Sequence, residues 1–499
     1  MQDQTMLKTI RIFLISLLCV SCASHDDSIP GYPAFHDTPM SPLYYYQNLE
    51  EVKDVPLTVQ GRIPAWLEGE FVRNGPAIIK GKTQSVRSWF DGLGKLHGFT
   101  FENGDVTYTC QFLKSTVYRN FETTGELDFD GFAQRATNSS FSLVDFILDK
   151  PNPDITNANV TLSKINNQMV AMTEIPLPVV FDKNLNTLGS FDYADSLPKN
   201  YSFESAHILK DPQSNAMWNY LIKIGLFETT YQIYKIPPGS SERQLVASIP
   251  VSTISYMHSF SLAGKYFVLV DYPLRAKDPL KISDGFIDAF KWYPSEPTKI
   301  HVINRETGVY QSFFTPPFFS FHHINGYEEN GKLIVDLIAY PTPDIISKVN
   351  KYPFVPDPDN TIRRLEINLA QGTANIHQLS SEHTEFPRIN ETYIGKNYQY
   401  SYAVHIRPSG NGIIKYNHKG SKNLYWFNPG CYANEPVFVP HPQGQAEDDG
   451  VILSVVNDLN KKTSFLLILN GKDFKELARI QAPHFIPFGF HGQFFSRFK

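Results

Sequence analysis

The sequence predicts an all-β protein closed into one large architecture, and among closed architectures a β-propeller fits it best. Three observations carry this reading. Short β-prone runs follow one another over most of the chain, bounded by turn signals such as Asn103-Gly104, Asn330-Gly331 and Asn470-Gly471. Helical periodicity is scarce, and no second compositional zone interrupts the pattern. Histidines recur in apolar settings far apart in sequence, at Ser205-Ala206-His207, Tyr256-Met257-His258-Ser259-Phe260, Phe321-His322-His323 and Phe490-His491-Gly492. Blades around an axis let such distant sites meet. No strict repeat such as a Trp-Asp dipeptide is visible, so spacing alone leaves the blade count open.

At 499 residues the chain is long enough for one large all-β domain or two to three ordinary ones. Hydrophobic residues at 42% and charged residues at 19% describe a globular protein with a substantial core. A net charge of −5, with no long run of like charge, gives no reason to expect nucleic-acid binding. The aromatic content of 14% suits a β-rich core, or the lining of a tunnel for an apolar conjugated ligand.

Taken in order, the chain begins as a processing signal. Lys8 and Arg11 precede the apolar run Ile12–Val20, which is too short to span a bilayer, and Ser21-Cys22-Ala23-Ser24 follow. Residues 1–22 read as a signal peptide. The local order resembles a bacterial lipobox with Cys22 as the lipidated first residue of the mature protein, although Cys19 stands where Leu is usual. A plainly cleaved signal or an uncleaved anchor is the alternative. The expectation is an exported, membrane-anchored bacterial lipoprotein, periplasmic or on the outer surface. Residues 23–45, polar and Pro-containing, read as a linker. Beyond it only Cys110 and Cys431 remain, too few for a disulfide framework or a Cys-type zinc site.

From residue 46 the strands follow: Leu96–Phe101, Val106–Phe112, Trp218–Ile224, Tyr266–Val270, Lys299–Ile303, Lys332–Leu337, Val451–Val456 and Phe465–Leu469. Two stretches break the pattern. Ser140–Leu148 is densely apolar, and Lys281–Trp292 carries Phe286, Ile287 and Phe290 at helical spacing. Each reads either as an insertion packed on the core or as a lid or apolar entrance able to touch a membrane.

A histidine among aromatics needs a reason. A single one is most simply a core imidazole bonded to a backbone carbonyl; the sharper reading is a metal ligand. Recurrence favours the second. His258 is soon followed by Ala263-Gly264-Lys265, much as His322 is followed by Asn330-Gly331-Lys332, so one centre fed by structural repeats is expected.

The chain resembles the carotenoid cleavage oxygenases over nearly its whole length from residue 46. The resemblance rests on Gly69-Glu-Phe-Val-Arg73-Asn74-Gly75-Pro76, Trp89-Phe90-Asp91-Gly92-Leu-Gly94-Lys-Leu-His97, Ser205-Ala-His207, Met257-His258, Phe321-His322 with Asn325 and Glu328, and Gly489-Phe490-His491-Gly492, in this order. The wording of Phe321–Leu337 and the acidic turn Glu447-Asp448-Asp449-Gly450 are similar to the animal branch, which contains the carotene oxygenases and the retinal-pigment-epithelium isomerase. The lipobox-like start points instead to a bacterial relative of that branch.

The resemblance implies that residues 46–499 form a seven-bladed β-propeller with a loop and helix dome over an axial iron, Fe(2+). It implies His207, His258, His322 and His491 as ligands. His322 is preferred to His323 because relatives carry the histidine three residues before the Asn matching Asn325. It further implies that Glu174 serves His258, Glu385 serves His322 and Glu435 serves His491. Physically this is coherent: four neutral imidazoles leave a 2+ charge uncompensated, and a carboxylate accepting an Nδ1–H orients the ring and supplies negative charge.

The activity implied is oxidative cleavage of a carbon–carbon double bond in a carotenoid or apocarotenoid by O₂, giving two carbonyl products; a membrane surface is expected as a partner from the lipobox-like start and the apolar segments. Stilbene cleavage and retinoid isomerohydrolysis are alternatives on the same fold. A propeller that only binds a ligand is the alternative from another class, and the four histidines argue against it.

Overall fold

Asn330 and Gly331 take φ of 51° and 75° and turn the strand His323–Glu329 back into Lys332–Ala339, with Glu329 opposite Lys332. Positive φ at both central residues is the hairpin turn whose twist matches its strands. Asn103 and Gly104, at 53° and 84°, join Leu93–Glu102 to Asp105–Phe112 in the same way. The computed structural model built from such hairpins describes residues 41, 44, 49–137, 156–200, 202–225, 228–276, 286–351, 359–420 and 422–497. The signal peptide with Cys22, the linker apart from residues 41 and 44, and the Ser140–Leu148 stretch lie outside them.

Among the described residues the strands form seven mainly antiparallel blades, with a separate three-stranded sheet of Ile254–Ser255, Leu274–Ala276 and Lys291–Trp292 outside them. Blade 1 holds Gly69–Ile78, Leu93–Glu102 and Asp105–Phe112, with Val52–Pro56 on its outer edge. Blades 2 to 5 begin on their inner strands at Thr161, Ser202, Ser261 and His323; three are four-stranded, and in blade 3 both Ser202–Glu204 and Leu209–Lys210 pair with Met217–Lys223. Blade 6 runs from Thr384–Arg388 through Gly410–Asn417, and blade 7 comprises Val437–Pro440, Gly450–Asp458, Thr463–Asn470 and Glu476–Gln481. The last two are continuous, because the short strand Cys431–Ala433 pairs with both Gly410–Asn417 and Gly450–Asp458.

Both chain ends close the ring. Gly492–Ser496 supplies the inner strand of blade 1, in register from Gly69 opposite Ser496 to Arg73 opposite Gly492. Val59–Gly61 supplies the outer strand of blade 7, from Val59 opposite Ile480 to Gly61 opposite Ala478. Between these two blades Phe71, Phe99 and Phe101 pack with Leu453, Val455 and Ile468, all fully buried. Each such side chain contributes roughly 1.5–3 kcal/mol of burial, so the seam is a core and not a loose junction.

Two residues of the family pattern staple blade 5 to its neighbours. Asn325 Nδ2 donates to the carbonyls of Tyr393 and Lys396, and its Oδ1 accepts from Gly395 N. Glu328 Oε1 accepts from Lys265 N at 2.9 Å. A Cβ on Gly264 would lie 2.0 Å from that same oxygen, which accounts for the glycine in the turn.

At Lys281–Trp292, of the two readings, the packed insertion holds for the described part and the membrane-touching entrance is corrected. Of its described part, Ile287–Ala289 is one 3₁₀ turn and Lys291–Trp292 is a short strand. Ile287 and Phe290 are buried, and Phe286 packs on Phe203, Tyr256 and Phe290. The side suggested for membrane contact faces the protein interior. Periodicity reports that a face is covered, and here other aromatics of the same chain cover it.

Candidate metal centre

Each of the four histidines stands at the end of an inner strand. His207 follows Ser202–Glu204, His258 precedes Ser261–Ala263, and His322 and His491 immediately precede His323–Glu329 and Gly492–Ser496. Their ligating atoms all lie within 4.8 Å of one another. The closest pair is Nε2 of His207 and Nε2 of His258, 2.9 Å apart. The rings stand at steep angles, 67° between His207 and His258 and 85° between His207 and His491, as imidazoles converging from separate blades do.

Three carboxylates fix three of the rings. His258 Nδ1 donates to Glu174 Oε1 at 2.6 Å, His322 Nδ1 to Glu385 Oε2 at 2.6 Å, and His491 Nδ1 to Glu435 Oε1 at 2.7 Å. A carboxylate only accepts, so each bond places the proton on Nδ1 and turns the Nε2 lone pair inward. The carboxylates are themselves held. Tyr256 donates to Glu174 at 3.0 Å and Tyr340 to Glu385 at 2.6 Å, while Gly492 N donates to Glu435 at 2.7 Å. Arg388 lies 3.6 Å from Glu435. Burial pushes Glu385 and Glu435 up, but their histidine partners and remaining donors outweigh it, so both titrate below the usual carboxylate range.

The donor set fits a metal ion. His322 Nε2 is buried without a hydrogen-bond partner, although its Nδ1 is engaged. Burial pushes His207 well below the usual imidazole range, lowers His258, and takes His491 down to about 4. The three are therefore neutral at pH 7, with lone pairs to offer. Two Nε2 atoms at 2.9 Å need a positive centre or a shared proton between them.

His323 takes no part. Its Nδ1 lies 2.9 Å from Ser261 Oγ and its Nε2 3.1 Å from Tyr272 Oη, so both ring nitrogens are satisfied on the other side of the strand. Neighbouring residues of an extended chain face opposite ways, and His322 is the one turned to the centre.

Several contributors were not readable from the sequence. Tyr256 and Tyr340 reach their carboxylates across 82 and 45 residues, and no local pattern marks such a contact. Phe386 takes φ of 53°, a costly conformation for a bulky side chain. It places the Phe386 N–H 2.8 Å from Glu385 Oε2 and the ring beside His322 and His491. Asn74 N donates to His491 O, and a Cβ on Gly75 would meet Gly489 Cα at 2.4 Å. The motifs Arg73-Asn74-Gly75 and Gly489-Phe490-His491 thus interlock by backbone approach.

A second group, His97, Cys110 and His484, also lies within ligating distance. Tyr108 Oη spans its two imidazoles, 2.6 Å from His97 Nδ1 and 3.1 Å from His484 Nε2. Burial, and then the adjacent Lys95, lower the pKa of both imidazoles.

Comparison with known proteins agrees with this geometry. Residues 45–496 match the family described as retinal pigment epithelial membrane protein. Human beta,beta-carotene 15,15'-dioxygenase is 30% identical over 90% of this chain and 93% of its own. The carotenoid isomerooxygenase of Galleria mellonella is 29% identical over 91% of this chain and 96% of its own. Among solved structures, a Synechocystis apocarotenoid oxygenase variant superimposes with a TM-score of 0.80 at 25% identity, covering 91% of this chain and 98% of that one.

Proposed function

The chain belongs to the retinal pigment epithelial membrane protein family, the carotenoid cleavage oxygenases, and from that premise we propose that it is an Fe(II) dioxygenase cleaving a carbon–carbon double bond of a carotenoid or apocarotenoid. The observation that carries this is the convergence of His207, His258, His322 and His491, three of them held by Glu174, Glu385 and Glu435. When bound, ferrous iron supplies the redox chemistry that lets O₂ react with a closed-shell alkene.

The chain's own residues do the rest. The four imidazoles hold the ion through nitrogen alone. The three carboxylates balance its charge and keep each Nδ1 protonated. Phe321, 5.3 Å from His258 between ring centroids, and Phe386, 5.5 Å from His322, keep the surroundings apolar and exclude water. In the overall reaction one C=C bond and one O–O bond break and two C=O bonds form, so the atoms of one O₂ end in two carbonyl products.

Incubating iron-loaded protein with a panel of carotenoids and apocarotenoids under labelled dioxygen tests this. Two carbonyl fragments carrying label are expected. Isomerised retinyl ester, or products from stilbenes alone, would assign one of the other activities known on this fold.

We also propose that the protein is exported and held at a membrane surface by a lipid on Cys22. Lys8, Arg11, the short apolar run and Ser21-Cys22-Ala23 support this reading. Among the described residues no helix is long and apolar enough to cross a membrane. The mature N-terminus should be an acylated Cys22 by mass spectrometry, and Cys22→Ser should abolish the modification; an unacylated terminus elsewhere refutes it.

A further inference from the structure

The three carboxylates that hold the histidines are not treated alike. Glu174 and Glu385 receive neutral phenols, from Tyr256 and Tyr340. Glu435 faces a cation. Arg388 Nη1 lies 3.6 Å from Glu435 Oε1, the same oxygen that accepts from His491 Nδ1. Among the described residues no lysine or arginine pairs with Glu174 or Glu385. A guanidinium so near a site for a cation needs a reason, because it repels the ion that the histidines hold.

The guanidinium is fixed from its other side. Arg388 Nη2 donates to Glu391 Oε1 at 2.8 Å and to Gln493 Oε1 at 2.7 Å. Gln493 Nε2 donates in turn to the two carboxylate oxygens of Glu391, at 3.4 and 3.3 Å. Gln493 stands on the inner strand of blade 1 that follows His491, and Arg388 on the strand of blade 6 that carries Glu385. The arm is thus held between two strands that each carry part of the centre.

Burial decides which partner feels the charge. The Glu391 side chain is 48% exposed, so water screens its pairing with Arg388, whereas Glu435 is 1% exposed. The positive charge therefore acts mainly inward. A divalent ion among three buried carboxylates leaves one negative charge in excess, and the guanidinium cancels it. Loss of an electron from the ion then leaves a net positive charge in a dry interior, which is disfavoured.

Resting on the metal-centre reading above, we propose that Arg388 neutralises the centre through Glu435 and His491 and so holds bound iron in its ferrous form. It is a positioning residue, acting on the ion through Glu435. Its charge also draws on the Glu435 oxygen and weakens the pull of that oxygen on the His491 Nδ1 proton, which makes His491 Nε2 a weaker donor. Both effects favour the lower oxidation state.

The test is the Fe(III)/Fe(II) potential of the iron-loaded protein, followed by electron paramagnetic resonance in a redox titration. Cobalt(II) affinity of the metal-free protein is measured beside it, for the parent, Arg388→Met, Arg388→Lys and Glu391→Gln. Met removes the charge and keeps an unbranched side chain. The preference for Fe(III) over Fe(II) should rise on the order of tenfold, a potential lower by about 59 mV, and cobalt should bind more tightly. Lys keeps the charge and should hold the potential above that of the Met variant. Glu391→Gln removes the exposed counter-charge of Arg388 and should shift both readouts the opposite way from Met. An ion pair that only staples the two strands would leave the potential unmoved, and its loss would weaken cobalt binding; either result in Arg388→Met overturns the proposal. If Arg388→Met does not fold, Glu391→Gln decides, and an unchanged or lowered potential there overturns it. A parent that binds neither iron nor cobalt refutes the metal-centre reading instead.

Discussion

Nδ1 of His491 lies 2.7 Å from Oε1 of Glu435, a residue 56 positions earlier in the chain. The contact exists because Gly492–Ser496 returns to pair with Gly69–Arg73 and sets His491 against the loop between Cys431–Ala433 and Val437–Pro440.

His491→Ala should therefore abolish stoichiometric iron binding while leaving the fold largely intact. His323→Ala should retain iron, because its ring nitrogens bond to Ser261 and Tyr272 away from the centre. Metal analysis of the purified variants checks both; a His491→Ala protein with full iron content refutes the four-histidine centre.

Glu174→Gln, Glu385→Gln and Glu435→Gln keep shape and remove charge. Each should weaken iron retention by roughly 10–100-fold. Tyr340→Phe leaves Glu385 its bonds to His322 and Phe386 N, so its effect should be smaller, about 0.5–1.5 kcal/mol for one hydrogen bond. Competition against a chelator orders the four variants, and Tyr340→Phe as costly as Glu385→Gln would contradict this account.

Deleting residues 491–499 removes a ligand and the inner strand of blade 1. The truncated chain should lose cooperative thermal unfolding and aggregate through the exposed strand edge. Deleting the chain up to residue 61 removes the outer strands of blades 1 and 7 and Tyr44, which stacks on Trp89, and should lower the melting temperature while leaving the metal site assembled. Calorimetry with metal analysis distinguishes the two.

Burial takes His323 down to about 3 from its ordinary value of 6.5. Its folded value is depressed, so below pH 6.5 the unfolded chain takes up a proton that the folded chain refuses. The stability tied to the neutral ring is present above pH 6.5 and is lost as pH falls towards 3. His323→Asn lacks this dependence. The stability difference between parent and variant, from urea midpoints, should shrink by on the order of a few kcal/mol between pH 7 and pH 4. A pH-independent difference would show that the ring is not held neutral.

The features legible in the sequence were those written in local chemistry. Asn330-Gly331 announces a hairpin because almost no other pair accepts two positive φ angles. The histidines stood out because imidazole among phenylalanines is costly without a partner. The parts that stayed hidden depend on distance along the chain. Nothing near Tyr340 says that its hydroxyl meets Glu385, and nothing in Cys431–Ala433 says that it welds two blades into one sheet. Phe286, Ile287 and Phe290 announced burial correctly, but not that other aromatics of the same chain would supply it.

The placement of the last strand has a consequence for how the protein is made. A nascent chain emerging from its N-terminus can pair blades 2 to 6 as they appear, but Gly69–Arg73 must wait for residues 492–496, the last strand of the chain. His491 arrives with them. A chain made only as far as residue 490 cannot offer the complete set of nitrogens, so the four-histidine set assembles only after the strand that follows His491 has paired with Gly69–Arg73.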